Sequence, residues 1–156
     1  MRKIFYTMHF TGQSSQNTEH AEMMRTTGSA TSCVVTTRIL QTGVDTSLKA
    51  AEGDLAFLES QLQITGQGAY QESGEISFGD EGEHVLRFST LGQGHMAKDL
   101  EPGIMAGTAS WKVEGGEGQF AKAAGFITST FTINESGERS DFHCGLIFLP
   151  DEKEAS

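Results

Sequence analysis

The stretch Gly107–Leu149 constrains the fold more than any other part of this sequence. It reads GTASWKVEGGEGQFAKAAGFITSTFTINESGERSDFHCGLIFL and contains three runs rich in β-branched and aromatic residues. A glycine-dense bend and a turn that contains Ser-Gly separate these runs. Short runs of this kind, bounded by Gly, Asn and Ser, are typical of consecutive antiparallel strands. The stretch predicts a β-protein, and it carries no recognisable catalytic signature.

The composition of the whole chain agrees with a β-rich fold of one domain. The chain has 156 residues, with 19 glycines, 10 phenylalanines and 2 prolines. Glycine weakens helices and serves turns and bulges, whereas phenylalanine and threonine fit a pleated, half-buried surface. A chain of this length can bury a single core. We predict a barrel domain over residues 1–150 and an acidic, disordered tail over residues 151–156.

Charge and the lack of long apolar runs argue against several classes of function. The formal net charge is −10, which opposes contact with nucleic acid or an anionic membrane, because phosphate-binding surfaces need clustered Lys and Arg. The apolar stretch in the N-terminal MRKIFYTMHF is too short for the hydrophobic region of a secretory signal. No run in the sequence approaches the ~18 apolar residues that a membrane helix needs. Cys33 and Cys144 are then expected to be free thiols. We predict a cytoplasmic protein with neither nucleic acid nor membrane as a partner.

Residue patterns predict two strands in the first part of the chain. Ile4–Thr11 alternates strictly, with Ile4, Tyr6, Met8 and Phe10 on one face, and it predicts a half-buried strand. Cys33–Leu40 is rich in β-branched residues and predicts a second strand. Between them, Gly12–Ser32 is polar and predicts a long connection with a helical turn around Glu19–Arg25. Thr46–Ile64 fits a helical spacing of leucines and an alternating strand pattern equally well.

The middle of the chain predicts a β-hairpin. Ala69–Phe78 and His84–Leu91 flank the loop Gly-Asp-Glu-Gly-Glu, a plausible hairpin connection. The expected register sets three cross-strand pairs: Phe78 with His84, Glu75 with Arg87, and Glu72 with Thr90. The more apolar face of the hairpin then holds Tyr70, Glu72, Ile76, Phe78, His84, Leu86, Phe88 and Thr90.

Three further strands complete the prediction. They are Ile104–Val113, Phe126–Asn134 and Asp141–Leu149. The chain thus has seven to eight strands at short intervals, with no need for parallel crossovers. Because closure removes the exposed edges of a long open sheet, we predict an all-β fold that forms a single antiparallel barrel of about eight strands.

The glycine-dense bend also carries a family resemblance. Gly115–Gly125, GGEGQFAKAAG, followed by FITSTFTI, resembles the GG-x-G-x-F-x-x-A-x-G bend of allene oxide cyclase and dirigent-type barrels. At the level of pattern the chain is similar to an uncharacterised bacterial branch of that superfamily, over Met1 to Leu149. The resemblance implies an eight-stranded barrel and favours a strand at Leu55–Ile64. It implies little about function, because the superfamily includes cyclases, stereochemical guides and members without known activity.

Glu72 is the leading candidate for a catalytic residue. On the expected register it lies among apolar side chains, so burial should raise its pKa and suit it to proton transfer. Two other interpretations remain open. Glu72 can be paired with an Arg, Ser or Thr inside the barrel, or a register shift of one residue can place it on the surface.

Asp141 and His143 form a second candidate pair. They lie two apart on the last predicted strand and so share a face, where an aspartate can orient an imidazole for base catalysis. A histidine satisfied by a neighbouring strand or by solvent is the commoner case. His9, His84 and His143 could meet inside a barrel, but no local spacing resembles a metal motif, and we predict no metal site and no cofactor.

Four residues are candidates for ligand contact. Arg87 is expected to form a cross-strand ion pair with Glu75, and the alternative is that it lines the lumen and holds a carboxylate ligand. Tyr70, Phe88 and Trp111 are large aromatic side chains that can line a cavity or fill a core.

Three functions are compatible with these observations. In the first, the barrel binds a small, largely apolar molecule and isomerises or cyclises it without a cofactor. In the second, it carries a ligand without chemistry. In the third, it is a structural homo-oligomer whose outer faces matter more than its lumen, since several strands are apolar on both sides.

Overall fold

The computed structural model describes residues 1–151, which are built almost entirely of β-strands. The strands of this part of the chain are β1 (Arg2–Gln16), β2 (Met23–Ala30), β3 (Cys33–Leu40), β4 (Gly43–Ala50), β5 (Ala56–Gly66), β6 (Ala69–Phe78), β7 (His84–Thr90), β8 (Gly94–Lys98), β9 (Met105–Glu117), β10 (Ala124–Ile133) and β11 (Glu138–Leu149). A 3₁₀ turn follows β9 at Gly118–Phe120. Within residues 1–151, no helix is long and apolar enough to span a membrane. Apart from Asp151, the predicted tail lies outside the described residues.

The main sheet closes on itself as an antiparallel barrel. Around the ring the strands are β1, β2, β5, β6, β7, β9, β10 and β11, and β11 pairs back onto β1. The short strand β8 pairs with β6 and with β9, which are also the neighbours of β7. It therefore occupies the position between these two strands where β7 has ended. Closure satisfies the backbone groups that an open sheet would expose at its edges. The predicted all-β antiparallel barrel of about eight strands is confirmed.

The interior of the barrel is filled by alternate residues of each strand. Side chains alternate between the two faces of a strand, and β1 accordingly buries Tyr6, Met8 and Phe10 on the face expected from its sequence. β5, β9 and β10 bury alternate residues in the same way. The largest fully buried side chains include Trp111, Tyr70, Phe10, Phe88 and Phe131. The lumen is therefore packed with aromatic rings.

The predicted hairpin and its register are confirmed. In β6 and β7, Phe78 pairs with His84 and Glu75 with Arg87. The Thr90 hydroxyl accepts a hydrogen bond from the Glu72 amide at 2.8 Å and donates one to the Glu72 carbonyl at 2.9 Å. In the ambiguous stretch 46–64, residues 46–50 belong to β4 and residues 56–64 to β5, which agrees with the strand that the resemblance implied at Leu55–Ile64.

The prediction for Gly12–Ser32 was wrong. Instead of a long connection with a helical turn, β1 continues to Gln16 and β2 begins at Met23. The inward positions here are polar, and the buried hydroxyls of Ser14 and Thr26 lie 2.7 Å apart. Because an alternating apolar pattern marks a strand only where its inner face is apolar, this pair of strands gave no such signal. The short strand β8 was also missed.

β3 and β4 form a hairpin that lies outside the barrel, and we call these two strands the arm. The predicted strand Cys33–Leu40 is confirmed, but it pairs only with β4, in a separate two-stranded sheet. The base of the arm is joined to the barrel by an isolated antiparallel β-bridge between Met8 and Ser32. A weak hydrogen bond from the Cys33 thiol to the Thr7 carbonyl, at 3.6 Å, lies beside this bridge. Beyond its base the arm is solvent-exposed.

The glycine-dense bend after β9 closes one end of the barrel. Gly116 has a φ of 155°, and a Cβ there would lie 1.7 Å from the Val85 carbonyl oxygen, so only glycine fits. The bend turns Phe120 back into the barrel, where its ring lies 5.2 Å from that of Phe78 and is almost completely buried. Phe120 therefore plugs this end.

The contact between β1 and β2 makes a specific prediction. Gly12 pairs with Gly28, and a Cβ on Gly12 would lie 1.9 Å from the carbonyl oxygen of Thr27. Gly12→Ala should therefore lower the free energy of unfolding by about 1–3 kcal/mol, because the two strands must separate. Gly66→Ala is the matched control, since no atom lies within 4 Å of its added Cβ. Urea denaturation measures both variants, and equal stability of the two would contradict the close approach.

Candidate functional site

The strand period brings a set of polar side chains together inside the barrel. Arg139, Asp141 and His143 are alternate residues of β11, so all three point inward, and all are buried. We define the polar cluster as these three residues with Tyr6 of β1, Thr26 of β2, Glu72 of β6 and Ser129 of β10. The cluster thus joins side chains from five strands around the ring.

Arg139 is the centre of the polar cluster. Its Nη2 donates to both carboxylate oxygens of Glu72, at 2.9 and 3.0 Å, and to Asp141 Oδ2 at 2.7 Å. Nη1 donates to the Thr26 hydroxyl at 3.0 Å, and Nε lies 3.2 Å from Asp141 Oδ2. The guanidinium carbon lies 4.0 Å from the ring centroid of Phe131. Every side of this cation therefore has a partner of suitable charge or polarity.

A chain of contacts runs from Asp141 toward the other half of the barrel. Asp141 Oδ1 accepts a hydrogen bond from the Ser129 hydroxyl at 2.7 Å. His143 Nε2 lies 3.3 Å from Asp141 Oδ2, at ion-pair distance but not aligned for a hydrogen bond. The other ring nitrogen, Nδ1, lies 3.2 Å from the Tyr6 hydroxyl. Asp141 and His143 share a face and touch, as their spacing predicted.

Burial and charge set the protonation states in the polar cluster. Burial raises the pKa of Glu72 above its ordinary 4.5, and the Arg139 guanidinium offsets only part of this effect. Burial also opposes ionisation of Asp141, but contacts with His143, Arg139 and Ser129 lower its pKa from 3.8 to about 2. One permanent cation thus faces one ionised aspartate and one carboxyl that resists ionisation. With Glu72 protonated, the charges of Arg139 and Asp141 cancel.

The predicted aromatic residues pack around this cluster. Trp111 stacks on Phe88 with 3.7 Å between ring centroids, and it meets His143 edge-on at 4.7 Å. Tyr70 packs edge-on against Phe131 at 5.7 Å. Tyr70, Phe88 and Trp111 therefore lie inside the barrel, where they fill the central lumen. The Tyr70 hydroxyl and the Trp111 indole nitrogen have no hydrogen-bond partner among the described residues.

Arg87 lies on the outside of the barrel, so the alternative in which it lines the lumen and holds a ligand is wrong. Its Nε lies 3.6 Å from Glu75 Oε2, and its Nη2 lies 3.4 Å from Glu117 Oε1. The side chain is 47% exposed. The register explains the placement, because Arg87 and Glu75 alternate with the inward residues of β7 and β6. The cross-strand ion pair predicted from the sequence is confirmed.

The three histidines that could have met inside the barrel lie apart. His9 faces outward, where its ring stacks on Phe142 at 4.2 Å and its Nε2 lies 2.7 Å from the Ser140 hydroxyl. His84 lies at the rim and accepts a hydrogen bond from the Gln119 amide at 3.1 Å. Among residues 1–151, no group of three or more His, Cys, Asp or Glu side chains is arranged to hold a metal ion.

A pocket opens at the end of the barrel that Phe120 plugs, and we call it the mouth pocket. Its volume is about 400 Å³, and its lining includes Ile4, Tyr6, Met8, Cys33, Phe78 and Phe120. The base of the arm forms one side, and the ends of β1 and β11 form another. Tyr6 belongs to both this lining and the polar cluster. The mouth pocket and the buried charges are therefore connected through one phenol.

Arg139, Tyr6 and Thr26 are the members of the polar cluster that sequence reasoning missed. Arg139, Asp141 and His143 are alternate residues of one run. Extending the predicted strand Asp141–Leu149 by two residues toward the N-terminus would therefore have placed Arg139 on the same face as Asp141. Tyr6 was assigned to the correct face of its strand, but its contact with His143 joins residues 137 positions apart. Such a contact has no local signal.

Comparison of the chain with family models, with curated proteins and with solved structures found no match.

The central role of Arg139 can be tested by a matched pair of variants. Arg139→Met should lower the free energy of unfolding by about 3–5 kcal/mol, because it leaves two carboxyls buried without their cation. Arg87→Met makes the same substitution at an arginine on the surface, and it should lower the free energy of unfolding by no more than about 1 kcal/mol. Urea denaturation compares them. Equal losses in the two variants would show that the buried contacts with Glu72 and Asp141 contribute nothing.

The two carboxyls of the cluster predict opposite pH dependences. Because the pKa of Glu72 is raised, its contribution to stability is complete below pH 4.5 and is lost as pH rises through its folded pKa. Wild type should therefore lose stability relative to Glu72→Gln as pH rises above 4.5. Asp141 has a lowered pKa, so wild type should lose its advantage over Asp141→Asn as pH falls from 3.8 toward 2. Denaturation series against pH measure both differences, and a flat difference for either variant contradicts the corresponding shift.

Proposed function

We propose that this barrel binds a small, largely apolar molecule in the mouth pocket. The observation that carries the proposal is the lining of this pocket, in which Ile4, Met8, Phe78 and Phe120 surround a space of about 400 Å³. Pockets for small organic ligands are typically ~300–1,000 Å³, with mainly apolar walls and a few polar groups that orient the ligand. The mouth pocket has these properties.

Polar groups at the mouth give the ligand a preferred orientation. His84 lies at the rim, and the Cys33 thiol lies on the side formed by the arm. Burial raises the pKa of the Tyr6 hydroxyl well above 10.0, so this group is protonated in the free protein. Ligands with an apolar body and one or two polar atoms match these walls best.

The packing of the central lumen favours the mouth over the region around Glu72. Trp111 and Phe88 occupy the centre with their rings stacked, and both Glu72 oxygens are held by Arg139. A ligand at Glu72 would have to displace both the aromatic packing and the ion pair. A ligand at the mouth displaces neither.

A second candidate function is a cofactor-independent isomerase or cyclase at the same pocket. The contact of the Tyr6 hydroxyl with His143, and of His143 with Asp141, favours it, because an aspartate can orient an imidazole that exchanges a proton with a phenol. The resemblance of the Gly115–Gly125 bend to allene oxide cyclase and dirigent-type barrels supports this candidate. In this candidate function, Arg139 is held by Glu72 and fixes the position of the Asp141 carboxylate.

Binding at the mouth is tested by placing the same bulky side chain at each cysteine. Cys33 lines the mouth pocket, whereas Cys144 is exposed on the outer surface of β11. Cys33→Trp should fill the pocket and weaken binding of the apolar probe 1-anilinonaphthalene-8-sulfonate by about tenfold or more. Cys144→Trp should leave binding unchanged. Fluorescence titration measures both affinities, and an equal effect of the two substitutions would contradict the mouth as the site.

Mass spectrometry of small molecules extracted from natively purified protein identifies the natural ligand. A bound compound that wild type retains and Cys33→Trp lacks supports the proposal. If incubation with wild type converts that compound to an isomer, the enzyme is favoured over the carrier. Equal recovery of the compound from both proteins would place the ligand elsewhere.

A further inference from the structure

The arm is amphipathic, although it lies outside the barrel. Its register places the side chains of β3 and β4 on two distinct faces. One face, which we call the apolar side of the arm, holds Cys33, Val35, Thr37, Ile39, Val44, Thr46, Leu48 and Ala50. The charged residues Arg38, Asp45 and Lys49 all lie on the opposite face, with Val34 and Leu40. Segregation of this kind is typical of a ribbon that packs its apolar side against another surface.

Beyond Cys33 at its base, no residue of the described range 1–151 covers the apolar side of the arm. Ile39 is 87% exposed and Val44 is 70% exposed, and the two pair directly with each other near the tip. A two-stranded ribbon is at best marginally stable in water, and it gains stability when another structural element packs on its apolar face. The exposed ribbon therefore indicates a partner surface.

A second surface with few charges lies on the outside of the barrel. The outward residues of β1, β11, β10 and β9 stand in cross-strand rows, for example Phe5, Leu146 and Phe126. We define the β11 face by five of these rows: Lys3, Phe148, Ala124 and Glu114; Phe5, Leu146, Phe126 and Lys112; Thr7, Cys144, Thr128 and Ser110; His9, Phe142, Thr130 and Thr108; and Thr11, Ser140, Thr132 and Ala106. Phe5, Phe126 and Phe142 are each about half exposed or more, at 84%, 55% and 49%.

Charge points to a second copy of the same chain as the occupant of this face. The chain has a net charge of −10, so two copies repel each other wherever their acidic surfaces meet. On the β11 face, charged residues occur only at one end, at Lys3, Lys112 and Glu114. The apolar side of the arm carries no charge at all. These two surfaces can meet without bringing like charges together.

The area of contact favours an arm on a barrel face over an arm on another arm. Strands of eight residues span about 26 Å, and two of them with their side chains are about 10 Å wide, so one arm covers roughly 250 Å². Two arms packed on each other would bury roughly 500 Å² in total, which is in the range of crystal contacts. Two arms exchanged reciprocally onto two barrel faces would bury roughly 1,000 Å², the lower limit for a specific interface.

We propose that the chain self-associates by packing the apolar side of its arm on the β11 face of a second copy. Reciprocal exchange about a two-fold axis gives a closed dimer in which each copy contributes one arm and one face. The interaction covers the exposed valines and isoleucine of the arm and the exposed phenylalanines of the face at the same time. Phe5, Thr7 and Cys33 also line the mouth pocket, but the contact needs no ligand there.

The assembly state of the full chain is the first test. Size-exclusion chromatography with light scattering should show a dimer for wild type at micromolar concentration and a monomer for Ile39→Glu/Val44→Glu. Thr36→Glu/Ser47→Glu is the matched control, because this directly paired position lies on the opposite face of the same arm. The control should remain a dimer. A monomeric wild type, or equal dissociation of the two variants, would overturn the proposal.

Cross-linking then identifies the surfaces that meet, and the chain already carries a cysteine in the β11 face. Cys144 is exposed in the row of Thr7 and Thr128. In a Cys33→Ser background, Thr37→Cys should be joined to Cys144 of another copy by a short bis-maleimide. Adding Cys144→Ser should abolish the product, and Thr36→Cys should give at least tenfold less of it. Products linked only between two introduced cysteines at position 37 would show arm-to-arm packing and overturn the proposal.

The fluorescence of Trp111, the single tryptophan, reports whether each variant retains its barrel, because this side chain is fully buried. The glutamate substitutions lie on the arm, so the emission of Trp111 should match wild type in both double variants. A red-shifted emission in Ile39→Glu/Val44→Glu would attribute loss of the dimer to unfolding. In that case the cross-link from Thr37→Cys to Cys144 decides the proposal, in a chain without added charge.

Discussion

The interior of this barrel depends on one buried guanidinium. Arg139 holds Glu72 of β6, Asp141 of β11 and Thr26 of β2 within hydrogen-bond distance. A charge removed from water is tolerated only when its partners replace the lost hydration, and removing one partner leaves the others buried and uncompensated. The cluster therefore ties together strands that lie far apart in sequence. A shift of register in any one of them would carry its polar group to the outside of the barrel.

The polar cluster also divides the barrel into two unlike halves. One half is held by ions and hydroxyls, whereas the other is lined by Ile4, Phe78 and Phe120 and opens to solvent at the mouth. Tyr6 and His143 lie where the two halves meet. Because the charged half is already satisfied internally, the apolar half is the part of the lumen with surface to offer a ligand. The arm and the β11 face, by contrast, present their apolar residues to the outside.

How much of this could be read from the sequence depended on the distance between interacting residues. The hairpin of β6 and β7 was predicted to the residue, because a short loop sets its register and the pattern sets its faces. The inward positions of Glu72, Asp141 and His143 followed from the same period of two. The strands β1 and β2 near Ser14 and Thr26 were not predicted, because polar residues fill their inner positions and remove the usual contrast. Arg87 was placed in the lumen only as one alternative, and its position beside Glu75 decided against it.

The sequence by itself determined the all-β class, the closed antiparallel barrel and the faces of most strands. These properties follow from local alternation, glycine-rich turns and the avoidance of open sheet edges, all of which act between near neighbours. Only the tertiary structure decided that Arg139 contacts Glu72, that Tyr6 reaches His143 and that β3 and β4 leave the barrel as an arm. The first two contacts join residues 67 and 137 positions apart. Closure of the ring brings such residues together, and no local preference records which of them will meet.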